Sequence, residues 1–545
     1  MKNPALFCAT LLLALFSCQT KNTDRADIPE SARPNILWLV AEDLSPVIPP
    51  FGDSTIVCPN LSRLAAEGVC YTNVFSVSGV CAPSRAALAT GMYPTRIGAT
   101  HMRTNGNPAY FAEGVHAYEA MPGAGVRMHS EYLRMAGYYC TNNAKEDYQF
   151  TKPLTAWDES SRTAHWRNRA DGQPFFAIFN FGVTHESRIW VKAEDSLWVA
   201  EDLQVEPPPY LPDNEVGQRD VRRMYSNVKE MDAQIGKVLD QLEEDGLLDH
   251  TIVVWYSDHG GPLPRQKRLN YDSGLKVPMI IRYPDGKGAG SYDDQLISFV
   301  DFAPTLLSMA GLEPPSHFDG RAFAGKYKDS VKRAYIHAAG DRFDACYDHI
   351  RAVRDSRYKY LRNFWPDSAY YLPVSYREQM PVMQELLRMR DAGELDVWQA
   401  QWFRERKPEE ELFDTEADPH ELHNLAGEPA YREKLEELRI ECERWMASTN
   451  DMGLLDEADY IARIWPGDVQ PLVATPLLKE SGDSISLSCE TEGALIGYQF
   501  LNMDEAAGDR WMIYTGPLML PQGKRLVAVA DRIGYKASTV LQYPE

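Results

Sequence analysis

Three short, uninterrupted apolar runs, each leading into residues that can hold a metal or move a proton, constrain this chain more than any other feature. The first is Asn35-Ile36-Leu37-Trp38-Leu39-Val40-Ala41, followed by Glu42-Asp43. The second is Phe175-Phe176-Ala177-Ile178-Phe179-Asn180-Phe181, with His185 just beyond it. The third is Thr251-Ile252-Val253-Val254-Trp255-Tyr256, followed by Ser257-Asp258-His259-Gly260-Gly261. Runs without period-two alternation read as strands buried on both faces, the pattern of a parallel sheet. In such sheets ligands bind outside the carboxyl ends of the strands. Glu42, Asp43, His185, Asp258 and His259 are therefore expected to converge although they are far apart in sequence.

Helical patterns alternate with these runs. Tyr225, Val228, Met231, Ile235, Val238, Leu239 and Leu242 recur at helical spacing and Gly246 supplies a stop; Phe302 to Gly311 reads the same way. The expected fold is α/β: a large mixed, mostly parallel sheet over residues 34–330, covered by helices on both faces. Beyond Pro314-Pro315 the pattern changes. Residues 331–465 mix short strands with acidic helices, a smaller α+β subdomain. Residues 466–545 carry short alternating runs broken by Gly and Pro, an all-β sandwich appendage. A chain of 545 residues has room for all three.

The N-terminus reads as an export signal. Lys2 precedes an apolar stretch that ends at Cys18, shorter than the ~20 residues a spanning helix needs. Leu15-Phe16-Ser17-Cys18 resembles a bacterial lipobox, which implies cleavage before a lipidated Cys18 and a polar tether over residues 19–33. The expectation is an exported bacterial lipoprotein, periplasmic or anchored at the outer membrane, that meets the membrane only through its lipid. Cys58, Cys70, Cys81, Cys140, Cys346, Cys442 and Cys489 are scattered without a CxxC pair, which excludes a disulfide scaffold and a zinc ribbon. Lys and Arg number 56 against 78 Asp and Glu, a net charge of −22 that argues against a nucleic-acid partner.

The most specific stretch is Cys81-Ala82-Pro83-Ser84-Arg85-Ala86-Ala87-Leu88-Ala89-Thr90-Gly91. Pro83 suits the first turn of a helix, whose N-terminus favours an anion; with Arg85 one turn along, it also favours a thiolate at Cys81. The spaced Cys, Pro, Ser, Arg, Thr and Gly resemble the signature of the type I sulfatases of the alkaline-phosphatase superfamily. The likeness runs over roughly residues 34 to 430 and includes Val300-Asp301-Phe302-Ala303-Pro304-Thr305-Leu306 and Glu411-Leu412-Phe413-Asp414-Thr415-Glu416-Ala417-Asp418-Pro419.

The resemblance implies a chemistry. Cys81 is oxidised by a sulfatase-maturing enzyme to formylglycine, whose hydrate is a geminal diol. One hydroxyl attacks the sulfur and the alcohol departs; the second then loses its proton as sulfate is eliminated and the aldehyde returns. Covalent catalysis of this kind splits one hard step into two. The family's metal positions fall on Glu42, Asp43, Asp258, His259 and the modified Cys81, with Ca²⁺ as the cation. Two of these depart from the usual pattern: Glu42 stands where Asp is usual, and His259 where Asn is common. Arg85, Lys145 and Lys267 supply positive charge around the sulfate, and His185 is the general acid for the leaving alcohol. Asp147 occupies a place where the family often has His.

The substrate implied is a sulfated carbohydrate, and the pattern is closest to the heparan N-sulfatase-like group. His101, Arg103 and Asp147, with Arg342, Asp344, His349 and Arg354 of the second subdomain, are candidates for binding it. The appendage resembles β-sandwich modules of bacterial glycosidases, in which Trp511 either stacks on sugar or fills the sandwich core. Two alternatives carry the same residues: a phosphodiester or phosphonate monoester hydrolase, and a non-catalytic glycan-binding lipoprotein in which Cys81 stays a thiol.

Overall fold

The structure, a computed structural model, describes residues 33–106 and 111–544. The signal sequence, Cys18 and all of the tether but Arg33 lie outside the described residues. The first nine strands are β1 (Asn35–Ala41), β2 (Val69–Phe75), β3 (Tyr139–Asn143), β4 (Glu159–Ser160), β5 (Phe175–Phe181), β6 (Thr251–Ser257), β7 (Lys276–Arg282), β8 (Ser291–Asp293) and β9 (Ile297–Ser298). They form one sheet in the order β4-β3-β5-β1-β6-β7-β2-β8, with β9 also on β2. The three apolar runs are thus its adjacent central strands. β1 pairs in parallel with both neighbours, Ile36 standing opposite Phe176 and Ile252. Only β7 runs against its partners. The expected mixed, mostly parallel sheet is the observed one.

Side chains alternate across β1, yet both faces are covered, which is why the run is unbroken. Leu37, Leu39 and Ala41 pack with Leu61 and Leu64 of the Pro59–Glu67 helix and with Val228, Met231 and Ile235 of the Glu215–Glu244 helix. Ile36, Trp38 and Val40 pack on the other face with Ala86 and Ala89 of the Cys81–Thr90 helix and Phe302 and Leu306 of the Phe302–Met309 helix. Trp38 meets Phe176 and Tyr256 edge to face, with ring centroids 5.2 and 5.5 Å apart. The 30-residue Glu215–Glu244 helix begins at Asn214, whose side chain accepts from the backbone N–H of Val216 and Gly217. It ends before Gly246, which takes the left-handed conformation expected of a stop (φ 67°).

A second, antiparallel sheet holds β10 (Ile336–Phe343), β11 (Cys346–Arg354), β12 (Tyr358–Asn363) and β13 (Glu410–Asp414) in sequence order. Val353, Tyr360 and Leu412 of this sheet pack on Leu435, Leu438 and Cys442 of the Arg432–Thr449 helix. The last strands are β14 (Leu477–Ser481), β15 (Ser484–Ser488), β16 (Leu495–Leu501), β17 (Met512–Ile513), β18 (Leu518–Met519), β19 (Arg525–Asp531) and β20 (Leu541–Tyr543). They build two small sheets, β14-β15-β18 and β17-β16-β19-β20, around Ile485, Leu487, Ile496, Leu526, Ala528 and Ala530. The described cysteines are all unpaired.

Trp511 is 6% exposed and has no face open to a sugar. It does not fill the space between the two sheets either. It packs with Leu501, Val527 and Val529, on the side of β19 opposite to Leu526, Ala528 and Ala530. That side of the sandwich is docked on the large sheet's surroundings. Arg134 Nη2 donates to the Trp511 carbonyl at 2.6 Å, Arg510 pairs with Asp158 at 3.1 Å, and Arg532 Nη2 donates to the Pro122 carbonyl at 3.0 Å.

Asp531 belongs to this junction and accepts from the Leu154 backbone N–H at 2.8 Å. Burial, opposed by its backbone hydrogen bonds, pushes its carboxyl up to about 6. A raised folded-state value means that stability is full when the acid is protonated and falls as pH rises through about 6. Asp531→Asn keeps an acceptor and removes that ionisation. Relative to the parent, it is expected to gain on the order of 2 kcal/mol on moving from pH 4 to pH 8. Thermal unfolding of both proteins across that range checks this; a difference that does not vary with pH contradicts it.

Candidate active site

The carboxyl ends of β1 and β6 are tied together by backbone before any side chain acts. The Asp258 N–H donates to the Ala41 carbonyl at 3.0 Å, and the Leu44 N–H to the His259 carbonyl at 3.2 Å. The Asp43 N–H donates to Asp258 Oδ1 at 3.1 Å. Asp43 sits at φ 52°, a left-handed conformation that Asp tolerates better than most residues, and so turns its carboxylate into the cleft between the strands. The Cys81–Thr90 helix starts at this cleft, and all ten of its residues are buried. Ser84 Oγ in its first turn donates to the Asp258 carbonyl.

Four buried side chains meet there. Cys81 Sγ is 3.3 Å from His259 Nε2 and 3.9 Å from Asp43 Oδ1. His259 Nε2 is 3.0 Å from Asp43 Oδ1 and 3.7 Å from Asp258 Oδ1. Donor atoms of Asp43, Cys81, Asp258 and His259 all lie within 4.8 Å of one another. His259 Nδ1 donates to the Gly260 carbonyl at 3.1 Å, so Nε2 is the ring nitrogen that points at the carboxylates, and a cation bound among them would replace its proton. Two carboxylates, an imidazole nitrogen and residue 81 form a donor set that fits a divalent cation.

The remaining charges are arranged around that set. Lys267 Nζ lies 2.7 Å from Asp43 Oδ2 and 3.2 Å from both His185 Nε2 and Glu186 Oε1. Arg268 grips Glu186 with two bonds of 2.7 and 2.8 Å. Arg85 Nε and Nη2 reach Asp258 Oδ2 at 3.1 and 2.9 Å, and Nη1 donates to Asn180 Oδ1 at 2.8 Å. Burial opposes each ionised form, yet the neighbours outweigh it. The Lys267 ammonium, with His185 and His259, holds Asp43 well below the usual carboxylate range. Burial raises the Cys81 thiol, but Lys267 and His259 bring it down to about 7. Asp258 and Asp43 lift His259 to about 10 against burial. Arg268 and Lys267 bring Glu186 down to about 2.

Glu42 stands outside the four-residue cluster in which the resemblance places it. Its two oxygens lie 3.5 Å from Lys145 Nζ and 3.9 Å from Arg85 Nη2, the latter nitrogen also 2.9 Å from Asp258, so Glu42 borders the cluster between two cations. Asp147 is 3.7 Å from the same Lys145 Nζ.

The substrate-side candidates divide. Arg342 is fully buried, bidentate on Glu457 at 2.7 Å to each oxygen, and donates to the Met102 carbonyl at 2.9 Å. Arg354 is buried against Asp272 at 3.0 Å. Neither guanidinium is free for a ligand, because a buried carboxylate already takes its donors. Arg103 and Asp344 face each other at 3.3 Å, and Asp344 also lies 3.7 Å from Arg268. His349 Nδ1 is 2.9 Å from Asp341, and His101 is buried beside Tyr347. Glu186, Arg268 and Asn180 were not singled out by sequence reasoning. Two of them adjoin residues that were, His185 and Lys267, and adjacency was the available signal.

A buried nucleophile beside a cation-ready donor set, at the carboxyl end of a mixed sheet, is the equipment of an enzyme that displaces an anionic group from an ester. The chain belongs to the sulfatase family, whose family model, Sulfatase, matches residues 34–312. A second model, N-sulphoglucosamine sulphohydrolase, C-terminal, matches residues 265–395. An ulvan-active sulfatase of Formosa agariphila is 52% identical over 551 aligned positions, covering 94% of this chain and 91% of that one. The human N-sulphoglucosamine sulphohydrolase is 25% identical, covering 83% of this chain and 95% of its own. Among solved structures, one of a protein in complex with its substrate D-glucosamine-2-N,6-O-disulfate shares the fold, with a TM-score of 0.55 and 19% identity over 78% of this chain and 100% of that one. The protein is a sulfatase.

Arg342 and Lys267 separate structure from chemistry. Arg342→Met strands Glu457 without its cation and is expected to cost about 3 kcal/mol in stability, with KM for a sulfate ester unchanged. Lys267→Ala is expected to lower kcat/KM by at least about 10³-fold. Urea unfolding and initial rates of both variants check this; a raised KM with unchanged stability in Arg342→Met contradicts the structural assignment.

Proposed function

We propose that this protein removes sulfate from sulfated carbohydrates through a formylglycine made from Cys81, with one Ca²⁺ per site. The single observation that carries the reading is the position of Cys81. It opens a wholly buried helix and lies 3.3 Å from His259 inside the Asp43–Asp258–His259 donor set. Oxidation of Cys81 by a maturing enzyme replaces the thiol with an aldehyde whose hydrate presents a hydroxyl at that place. Asp43, Asp258, His259 and residue 81 would hold the cation, which would supply positive charge against the sulfate oxygens. Lys267 and Lys145 present fixed ammonium groups to the same oxygens, and such preorganised charge costs no rearrangement as charge develops. Arg85 holds Asp258 in place through one hydrogen bond from Nε and the ion pair. His185, held by Lys267 at 3.2 Å and Ser187 Oγ at 2.9 Å, delivers a proton to the leaving alcohol.

The substrate class follows from relatives that act on ulvan and on N-sulphoglucosamine. The chain is organised as a catalytic domain over residues 34–330, a subdomain over 331–465 that overhangs the cleft, and a β-sandwich over 466–545. Cleavage before Cys18 and lipidation there place it on the periplasmic or outer-membrane side of the cell, where polysaccharide fragments arrive.

Two measurements test the reading. Protein made with a sulfatase-maturing enzyme is expected to yield a Cys81 peptide whose mass is that of formylglycine. The same protein is expected to turn over sulfated saccharides at least about 100-fold better than phosphate mono- or diesters, a difference of about 3 kcal/mol in the transition state. An intact thiol in an active enzyme overturns the nucleophile. A preference for phosphate or phosphonate esters moves the protein to the neighbouring hydrolase class.

A further inference from the structure

One group of aromatic and polar side chains near the cleft has no part in the chemistry above. Trp365 follows β12 and is 42% exposed. The His349 ring stands against it, with centroids 4.4 Å apart and the planes at 89°. Tyr347 lies 6.3 Å from Trp365 on one side and 6.3 Å from His101 on the other. The chain then leads directly to the reaction centre. Met102 belongs to one small buried cluster with Val80, Ala82 and Phe343, so the residue after His101 shares a cluster with both chain neighbours of Cys81. Arg103 comes next, its side chain 31% exposed and held at its Nε by Asp344.

These groups are fixed, and one buried polar atom among them has no partner among the described residues. Tyr347 is pinned because its hydroxyl donates to Glu457. His349 is oriented by Asp341 through Nδ1 at 2.9 Å. His101 is 4% exposed, and its Nδ1 has no hydrogen-bond partner among the described residues. The acids beneath are taken up elsewhere, Glu457 by Arg342 and Asp341 by Arg351. An open indole bordered by rigid rings and a guanidinium suits a ligand with one apolar face and a polar rim. A pyranose ring has that form, with C–H bonds on one face and hydroxyls around its edge.

We propose that Trp365, flanked by His349 and Tyr347, is the platform for the sugar next to the one that loses its sulfate, with His101 and Arg103 lining the path between the two. This rests on the reading of the substrate as a sulfated carbohydrate and narrows it to a chain of at least two sugars. Arg103, partly exposed beside Asp344, supplies positive charge for an acidic or sulfated edge of that neighbouring sugar.

The test compares Trp365→Ala and Trp365→Phe with the parent protein, all matured. The probes are 4-nitrophenyl sulfate and sulfated mono- and tetrasaccharides prepared from ulvan and from heparin. Turnover of the aryl sulfate by the parent checks the sulfatase reading by itself, because that probe has no second sugar. Trp365→Ala is expected to raise KM for the best tetrasaccharide at least tenfold, to leave kcat and aryl sulfate hydrolysis within twofold, and to unfold at the parent's temperature. Trp365→Phe, which keeps an aromatic face, is expected to recover most of the loss. The proposal is overturned if Trp365→Ala leaves tetrasaccharide kinetics unchanged, or if it slows the aryl sulfate as much as the tetrasaccharide. It is also overturned if the parent prefers the monosaccharide.

Discussion

The carboxylate of Asp43 is the fixed point of this molecule. It is buried completely, between two strands, where an unpaired charge is costly by several kcal/mol. Lys267 and the Glu186 N–H meet one of its oxygens at 2.7 Å each, and His259 meets the other at 3.0 Å. Each partner is held in turn: Lys267 by Glu186 and His185, Glu186 by Arg268, His259 by the Gly260 carbonyl. The ends of β1 and β6, the turn after β5 and the segment around Lys267 cannot move independently without stranding one of these charges. That rigidity is what a site needs if its charges are to be in place before the reaction begins.

The same network divides the cleft. Asp43, Asp258, His259 and residue 81 make a negative side fit for a divalent cation. Glu42, Arg85, Lys145 and Asp147 make a mixed border to it, with Glu42 held between the two cations. Beyond it the β10–β11 hairpin brings Phe343 against Val80 and Ala82 and Asp344 against Arg103 and Arg268. The four-stranded β10–β13 sheet therefore helps to form the walls of the site. The net charge of −22 belongs to the whole surface, while Lys145, Lys267 and Arg103 bring local positive charge to the cleft, so a global acid excess and an anionic substrate are compatible.

Much of this was legible in the sequence because the central strands are buried on both faces. Burial wrote them as unbroken apolar runs, and the rule that ligands gather at strand ends then gathered Asp43, His185, Asp258 and His259. The signature around Cys81 did the rest. What sequence could not distinguish is an arginine that pairs internally from one that faces a ligand. Arg342 and Arg354 looked like binding residues and proved to be buried partners of Glu457 and Asp272. Glu186 and Arg268 escaped notice because a charged neighbour of a charged residue carries no periodic signal. Trp511 read either as a sugar platform or as sandwich core. It lies instead on the side of the sandwich that docks on the segments around the large sheet, a placement set by tertiary packing that strand alternation within the appendage does not reveal.

Asp43 is where the cation and residue 81 are expected to meet. The most direct measurement is a crystal structure of the matured protein soaked with Ca²⁺, with anomalous scattering used to place the metal. One cation is expected, with oxygen ligands at about 2.3–2.6 Å from Asp43 and Asp258, and with the oxygenated side chain of residue 81 beside it. A cation bound away from Asp43, or residue 81 turned out of its coordination sphere, would contradict the account.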